Sequence, residues 1–517
     1  MTDSRPNILL LILDTTRRDH LSTYGYRRST TPALDAFAAE AVQFERAVSP
    51  SHWTIPVHTS LFTGLYAGEH GTVQANSKLS DSHPTLAEIV RTAGYETVAF
   101  CNNPLVGVLD NGLQRGFEAF YNYGGAAPNR PTDTSSNRAR RGLETRFRRF
   151  AARVTNQFAK SETLFRQALS SAWVPLWTRY INFKGNTTQS VNDLITWWAA
   201  RRDERPLFAF VNLMGAHLPY TPPSLYLDRV APGLRRDRAS VRFVGQFNAD
   251  ASRWATPPTE PLTDWQQHAL ESYYDAEIAH QDAQVGRLFD WLKTSGVGDN
   301  TLVIVAADHG EGHGEHDLFG HGFGVYQELV HVPLMLRHPD LTGAPRRVFT
   351  NVSTRRVFHT VLDAAGVHHL PLDERSPNAD VRGLSLLSAN GVETDREGGL
   401  AFSEAFPPLS LLHVVEHRSP QLIERLQLRK VRRAAYYSSY KLLLADDQIE
   451  ALYDVDEDQA ENCALNANHP ALARVAMELA GEVSAFVLRT QQVQGQAGVG
   501  EMDDEVMENL RSLGYVE

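Results

Sequence analysis

Residues 8–13 form an unbroken apolar run, Ile-Leu-Leu-Leu-Ile-Leu, that ends at Asp14. A run of that length without alternation marks a strand buried on both faces, as in a parallel sheet. Residues 31–42 open with Thr-Thr-Pro and carry Leu34, Phe37, Ala38 and Ala41 at helical spacing, which predicts a helix. Further apolar runs predict strands at 97–100, 207–213, 301–306 and 332–336. Helical patterns stand among them at 86–92, 191–198 and 275–293. Strands alternating with helices predict an α/β domain, a mostly parallel sheet sandwiched by helices. Such sheets build their sites beyond the carboxyl ends of their strands, where Asp14 and Asp308 both stand.

Two stretches break this rhythm. Residues 130–166 hold ten Arg/Lys against three acids, a local charge of +7, with Leu143, Phe147, Phe150, Val154 and Phe158 at helical spacing. This predicts a basic amphipathic helix within an insertion spanning about 130–180. We read it as a lid packed on the catalytic domain in preference to a membrane-surface helix. From about 395 onward come short strand patterns at 432–435 and 441–444, then a helical pattern at 470–487. The expected division is a catalytic domain over 1–390, a smaller C-terminal α+β domain over 391–490, and a polar tail over 491–517.

Composition narrows the classes. With 517 residues, 42% hydrophobic and 21% charged, the chain is neither collagen-like, coiled-coil nor wholly disordered. Two cysteines build neither a disulfide framework nor a thiolate cluster. A net charge of −11 argues against nucleic acid as a partner. No apolar stretch approaches the roughly 20 residues of a spanning helix, so a soluble, cytoplasmic protein is the expectation.

The densest chemistry lies in Asp308-His309-Gly310-Glu311-Gly312-His313-Gly314-Glu315-His316-Asp317, followed by Gly320-His321-Gly322. Asp and neutral His are oxygen and nitrogen ligands for a divalent cation, on a glycine-rich loop that lets backbone approach a ligand. The second element is Ser51-His52-Trp53-Thr54-Ile55-Pro56-Val57-His58, running on to Leu61-Phe62-Thr63-Gly64. Pro56 suits the first position of a helix, which would set Thr54 just ahead of its start. Thr54 then reads equally as an ordinary cap or as a hydroxyl at an oxyanion site.

Taken together these stretches resemble the sulfatase family of the alkaline-phosphatase superfamily. The resemblance runs from Pro6-Asn7-Ile8 to Asp14, then Arg17, Asp19-His20-Leu21, Tyr24-Gly25-Tyr26 and Thr31-Pro32-Ala33-Leu34-Asp35. It continues through Thr54-Ile55-Pro56, Leu61 to Tyr66, His217-Leu218-Pro219-Tyr220, Tyr274 to Ile278 with Asp282, the Asp308 to His316 loop, and Val332-Pro333-Leu334. It ends with Tyr440-Lys441, Leu452-Tyr453-Asp454, Glu461-Asn462 and Leu510…Leu513-Gly514-Tyr515. The resemblance implies Asp14, Asp308 and His309 as metal ligands and Thr54 as the nucleophile, its oxygen also reaching the metal. His217 would contact the ester or protonate its leaving group. His58, His316, His321 and Asn76 would be near enough to hold the anion's oxygens.

The departures redirect the chemistry. The family signature is Cys/Ser-x-Pro-x-Arg, whose first residue becomes formylglycine; here Thr54 and His58 hold the two end positions. Neither Cys101 nor Cys463 falls at the nucleophile, so the cysteine-derived formylglycine cannot form. A threonine esterified by sulfate lacks the hydrate route for release, which favours phosphodiesters or phosphonate monoesters, with sulfate esters as side substrates. Thr15 replaces the second strand-end Asp, Asp-His replaces Asp-Asn, and His321 replaces a loop lysine. Fewer carboxylates and an imidazole shift the expected single ion from Ca²⁺ toward Mn²⁺ or Zn²⁺. The expectation is a metal-dependent hydrolase of small anionic esters; a homo-oligomer is compatible with it. The alternatives are a sulfatase without formylglycine, a phospho-head-group transferase and a non-catalytic binding homologue.

Overall fold

The computed structural model describes residues 5–125, 129–131, 184–249, 261–338, 346–370, 379–387, 395–466 and 469–496. The basic segment 138–158 and the tail motif at 510–515 lie outside them.

An eight-stranded sheet runs Arg346–Val348, Val42–Phe44, Leu334–Arg337, Thr301–Ala306, Asn7–Leu13, Leu207–Leu213, Glu96–Cys101, Ala119–Asn122. All neighbours pair parallel except Leu334–Arg337, which runs antiparallel to both of its own. Asn7–Leu13 is central, and its side chains divide between the two faces as the pleat requires. Leu9, Leu11 and Leu13 enter one core, with the helices Pro32–Ala38, Thr187–Ala200 and Asp264–Thr294. Ile8, Leu10 and Ile12 enter the other, beneath Thr54–Thr63, Leu86–Thr92 and Val357–Ala364. An unbroken apolar run is what such a doubly covered strand needs. Asp282, on the long helix, accepts the N–H groups of Ala33 and Leu34 at 2.9 Å each and so anchors a helix start.

The sequence pattern misses the edges. The helix expected to reach residue 42 ends at Ala38, and Val42–Phe44 is a strand. The strand expected over 332–336 is Leu334–Arg337. The C-terminal helix spans Pro470–Gln496, so the first residues assigned to the tail are helical.

The smaller C-terminal domain carries an antiparallel sheet, Ala401–Ala405, Arg432–Tyr437, Tyr440–Ala445, Gln448–Asp454. Phe402, Ala435, Leu442 and Leu452 pack under the helix Pro470–Gln496. Ala434, Tyr436 and Leu443 pack against Val325, Leu329 and Val330 of the segment that follows the His-rich loop. Among the described residues, no helix is long and apolar enough to cross a membrane.

Candidate active site

Four carboxyl-end positions of the large sheet converge on one point. Asp14 follows Asn7–Leu13, Asn103 follows Glu96–Cys101, Asn212 lies in Leu207–Leu213, and Asp308 follows Thr301–Ala306. Thr15 takes a left-handed φ of 54°, and its N–H donates to Asp308 Oδ1 at 3.1 Å. At the position of the family's second Asp, the backbone therefore ties one strand end to the other.

Thr54 is the first residue of the helix Thr54–Thr63, with Trp53 as its N-cap and Pro56 two residues further in. The helix thus begins two residues earlier than a first-position proline would set it. Buried among the unpaired N–H groups of the first turn, the hydroxyl lies at the positive end of the helix dipole. Thr54 Oγ1 accepts from Asn103 Nδ2 at 3.3 Å. His309 Nδ1–H donates to Gly310 O at 2.9 Å, so Nε2 carries the lone pair and faces Thr54 Oγ1 at 3.4 Å.

Asp14 Oδ2 accepts from Asn103 Nδ2 at 2.7 Å and Asn212 Nδ2 at 3.0 Å. Its Oδ1, and Asp308 Oδ2, are buried and accept no hydrogen bond. Burial, and for Asp14 the neighbouring Asp308 charge, push both carboxyls from an ordinary 3.8 up to about 7. Ligand atoms of Asp14, Asp308 and His309 all lie within 4.8 Å of one another. Two orphaned carboxylate oxygens and an imidazole lone pair, sealed from water, fit one divalent cation. Burial also holds His309 down at about 4, keeping it in the neutral form that a ligand requires.

The remaining histidines divide. His321 lies against His309, ring centroids 4.4 Å apart and tilted by 35°, and meets His217 edge-on at 5.1 Å. His217 Nδ1–H donates to Leu218 O at 2.5 Å, and burial lowers its pKa well below the ordinary range. His58 is fully buried: Nδ1–H donates to Thr54 O at 2.9 Å, and Nε2 accepts from Asn212 Nδ2 at 3.3 Å. Both its nitrogens serve Thr54 and the metal-site asparagine, and neither is spare for an anion.

Two expected residues are placed elsewhere. His316, at a left-handed φ of 54°, stacks on Tyr326 at 3.8 Å and turns toward Glu328 and Glu461. In that group Lys441 Nζ stands 2.6 Å from Glu461 Oε1 and already supplies a cation. Asn76 is exposed, on the turn in which Ser77 N–H donates to Gln74 O.

Asn103 and Asn212 were not singled out by the sequence reading, and Glu311 stood there only as part of the His-rich run. The signals were an amide inside an apolar strand for Asn212 and an Asn-Pro helix start for Asn103. Asn103 Oδ1 does cap the short helix Pro104–Gly107, accepting from Leu105 N–H at 2.9 Å.

A family model described as Sulfatase matches residues 6–367. The uncharacterized sulfatase YidJ of Escherichia coli (strain K12) is 26% identical over 369 residues, 70% of this chain and 68% of that protein. An arylsulfatase of Clostridium perfringens (strain 13 / Type A) is 26% identical over 398 residues, 74% of this chain and 78% of that one. Among solved structures, the phosphonate monoester hydrolase of Agrobacterium radiobacter superposes with a TM-score of 0.64. That match is 21% identical and covers 94% of this chain and 96% of the other, a likeness of fold.

Proposed function

This chain belongs to the sulfatase family, and on that premise we propose that it hydrolyses phosphonate monoesters or phosphodiesters through Thr54. The family makes it a hydrolase of ester bonds. The observation that carries the finer reading is Thr54 itself: a plain hydroxyl where the family signature has Cys or Ser, facing His309 Nε2 at 3.4 Å.

In this reading Thr54 Oγ1 attacks phosphorus, the bond to the organic leaving oxygen breaks, and water then cleaves the phosphonyl or phosphodiester link to Thr54 to restore the hydroxyl. Asp14, Asp308 and His309 hold one divalent ion, Mn²⁺ or Zn²⁺ in preference to Ca²⁺. When bound, that ion lowers the nucleophile's pKa and offsets negative charge on the transferred group. Asn103 and His58 hold Thr54 from two sides, through its hydroxyl and its carbonyl. In this reading His217 and His321 contact the ester; His217, neutral with its one proton held by Leu218 O, does not protonate the leaving oxygen.

A second reading, hydrolysis of sulfate esters, is favoured by the names of the sequence relatives, which are sulfatases. One assay separates the two. Purified protein loaded with Mn²⁺ or Zn²⁺ is offered aryl phosphonate monoesters, bis-aryl phosphates and aryl sulfates, beside Thr54→Ala. The phosphorus esters should turn over faster, Thr54→Ala should lose activity, and quenched samples should carry the phosphonyl or aryl phosphoryl group on Thr54. Faster turnover of sulfates, or an active Thr54→Ala enzyme, refutes the proposal.

A further inference from the structure

We propose that Glu311 is a positioning residue, fixing the His321 ring so that Nε2 is the nitrogen turned to an ester at Thr54. The inference rests on Thr54 as the reacting group only for its kinetic arm; the fixing of the His321 ring in one tautomer is testable without any substrate.

Glu311 is fully buried on the His-rich loop. Its Oε1 lies within hydrogen-bond distance of His321 Nδ1, at 2.8 Å, while Oε2 is buried and makes no hydrogen bond. The two residues meet through a small hairpin, in which Gly312 pairs with Gly320 and His313 with Phe319. Gly320 supplies the left-handed turn, φ 68°, that carries the chain on to His321. The start of the loop is equally fixed. Gly310 N–H donates to Leu329 O at 2.7 Å, and a Cβ on Gly310 would lie 1.9 Å from Glu328 O. Arg17 Nη1 then donates to Glu311 O at 3.1 Å.

The pairing is costly as a stabilising device. A carboxylate buried with one oxygen unsatisfied is less favourable than an apolar residue of its size. What it supplies is specificity at the ring. An acidic side chain on Nδ1 fixes the ring and one tautomer, and leaves Nε2 as the second nitrogen, as acidic partners do for metal-bound and catalytic imidazoles. The ring so oriented contacts both His309 and His217, and its side chain keeps 19% exposure.

A role for Glu311 in merely stiffening the hairpin makes different predictions. Glu311→Ala, Glu311→Gln, His321→Ala and the double variant Glu311→Ala/His321→Ala are compared in full-length, zinc-loaded protein. Glu311→Ala should lower kcat by about 10–100-fold with KM nearly unchanged, and Glu311→Gln, which keeps an acceptor oxygen, should recover much of the loss. The double variant should be no slower than His321→Ala alone, because Glu311 acts through that ring. Nitrogen-15 histidine spectra, with His321 assigned by its own variant, should show a single tautomer in the parent and a mixture in Glu311→Ala. Additive kinetic losses, or an unchanged His321 tautomer, overturns the proposal. If no phosphorus ester turns over at all, the function proposed above fails and the spectra still decide this one.

Discussion

The side-chain amide of Asn103 donates to Asp14 Oδ2 at 2.7 Å, a bond between residues 89 positions apart in the chain. The same nitrogen reaches Thr54 Oγ1 at 3.3 Å, so one amide orients both a metal-site carboxylate and the candidate nucleophile. Asn103→Ala should therefore weaken metal affinity and lower kcat together, by about 10–100-fold, the usual effect of removing a partner that orients a ligand. Stability should fall by only about 0.5–2 kcal/mol, the loss of the Pro104–Gly107 cap. Metal titration with steady-state kinetics tests this; a variant that loses stability but keeps metal affinity would reduce Asn103 to a cap.

The two raised carboxyls tie metal binding to pH. Asp14 and Asp308 sit at about 7 in the folded chain against an ordinary 3.8. Between those values the folded protein binds more protons than the unfolded one, so without metal their contribution is fully present below about pH 3.8 and is lost as pH rises through about 7. A cation held by both carboxylates takes the place of those protons. Buried histidines such as His58 and His331, lowered to about 3, act in the opposite sense, but in both forms. The readout is thus the gap in Tm between metal-loaded and metal-free protein, which should widen steadily from pH 5 to pH 8. In Asp308→Asn the gap should shrink at every pH; a gap independent of pH would show that these carboxyls bind metal without releasing protons.

His58 stands where the family signature has arginine, yet its ring bonds link Thr54 O to Asn212 Nδ2, with the rings of Phe62 and Phe210 edge-on at 6.3 and 5.9 Å. Removing the ring leaves a cavity, takes from the Asn212 amide one of its two acceptors and from Thr54 O its ring donor. His58→Ala should cost about 2–5 kcal/mol in urea denaturation, and kcat should fall in the surviving folded fraction. His58→Arg restores the signature but not the volume, and should also destabilise, by about 1–3 kcal/mol. A fully stable, more active His58→Arg protein would mean that the site was built for the longer cation after all.

The central architecture was legible because it is governed by burial. A strand covered on both faces must be continuously apolar, and residues 8–13 and 301–306 are, so Asp14 and Asp308 at their ends followed directly. Val42–Phe44 was not legible: three residues reading Val-Gln-Phe carry no period, and the helical pattern before them ran on. Asp308, His309 and Thr54 came from ligand chemistry and motif. The asparagines did not, since an amide orienting a ligand has no spacing rule and emerges only when four strand ends meet. His316 shows the converse. In a run of alternating histidines and glycines it looks equivalent to its neighbours, but with positive φ at His316 and Asp317 its ring lies on Tyr326, beside Glu328 and Glu461.

The last prediction concerns how the small domain supports the catalytic loop. Lys441 Nζ lies 2.6 Å from Glu461 Oε1, both side chains fully buried. Lys441 also donates to Val325 O at 2.7 Å, and Glu461 Oε2 accepts from Gln327 N–H at 2.6 Å. The pair therefore ties the small sheet to the segment whose Leu329 carbonyl accepts from Gly310, next to His309. Lys441→Met leaves Glu461 charged and unpaired in the interior and should cost about 3–5 kcal/mol. Adding Glu461→Leu should restore part of that loss, because an apolar pair of similar volume has no charge to desolvate. Metal affinity should follow the same order, weakest in the single variant, since loosening Leu329 frees Gly310 and with it the His309 ring. Denaturation and metal titration on the three proteins test both halves: equal stability in the single and double variants would mean the ion pair is not what fixes the segment, and unchanged metal affinity would uncouple that segment from the site.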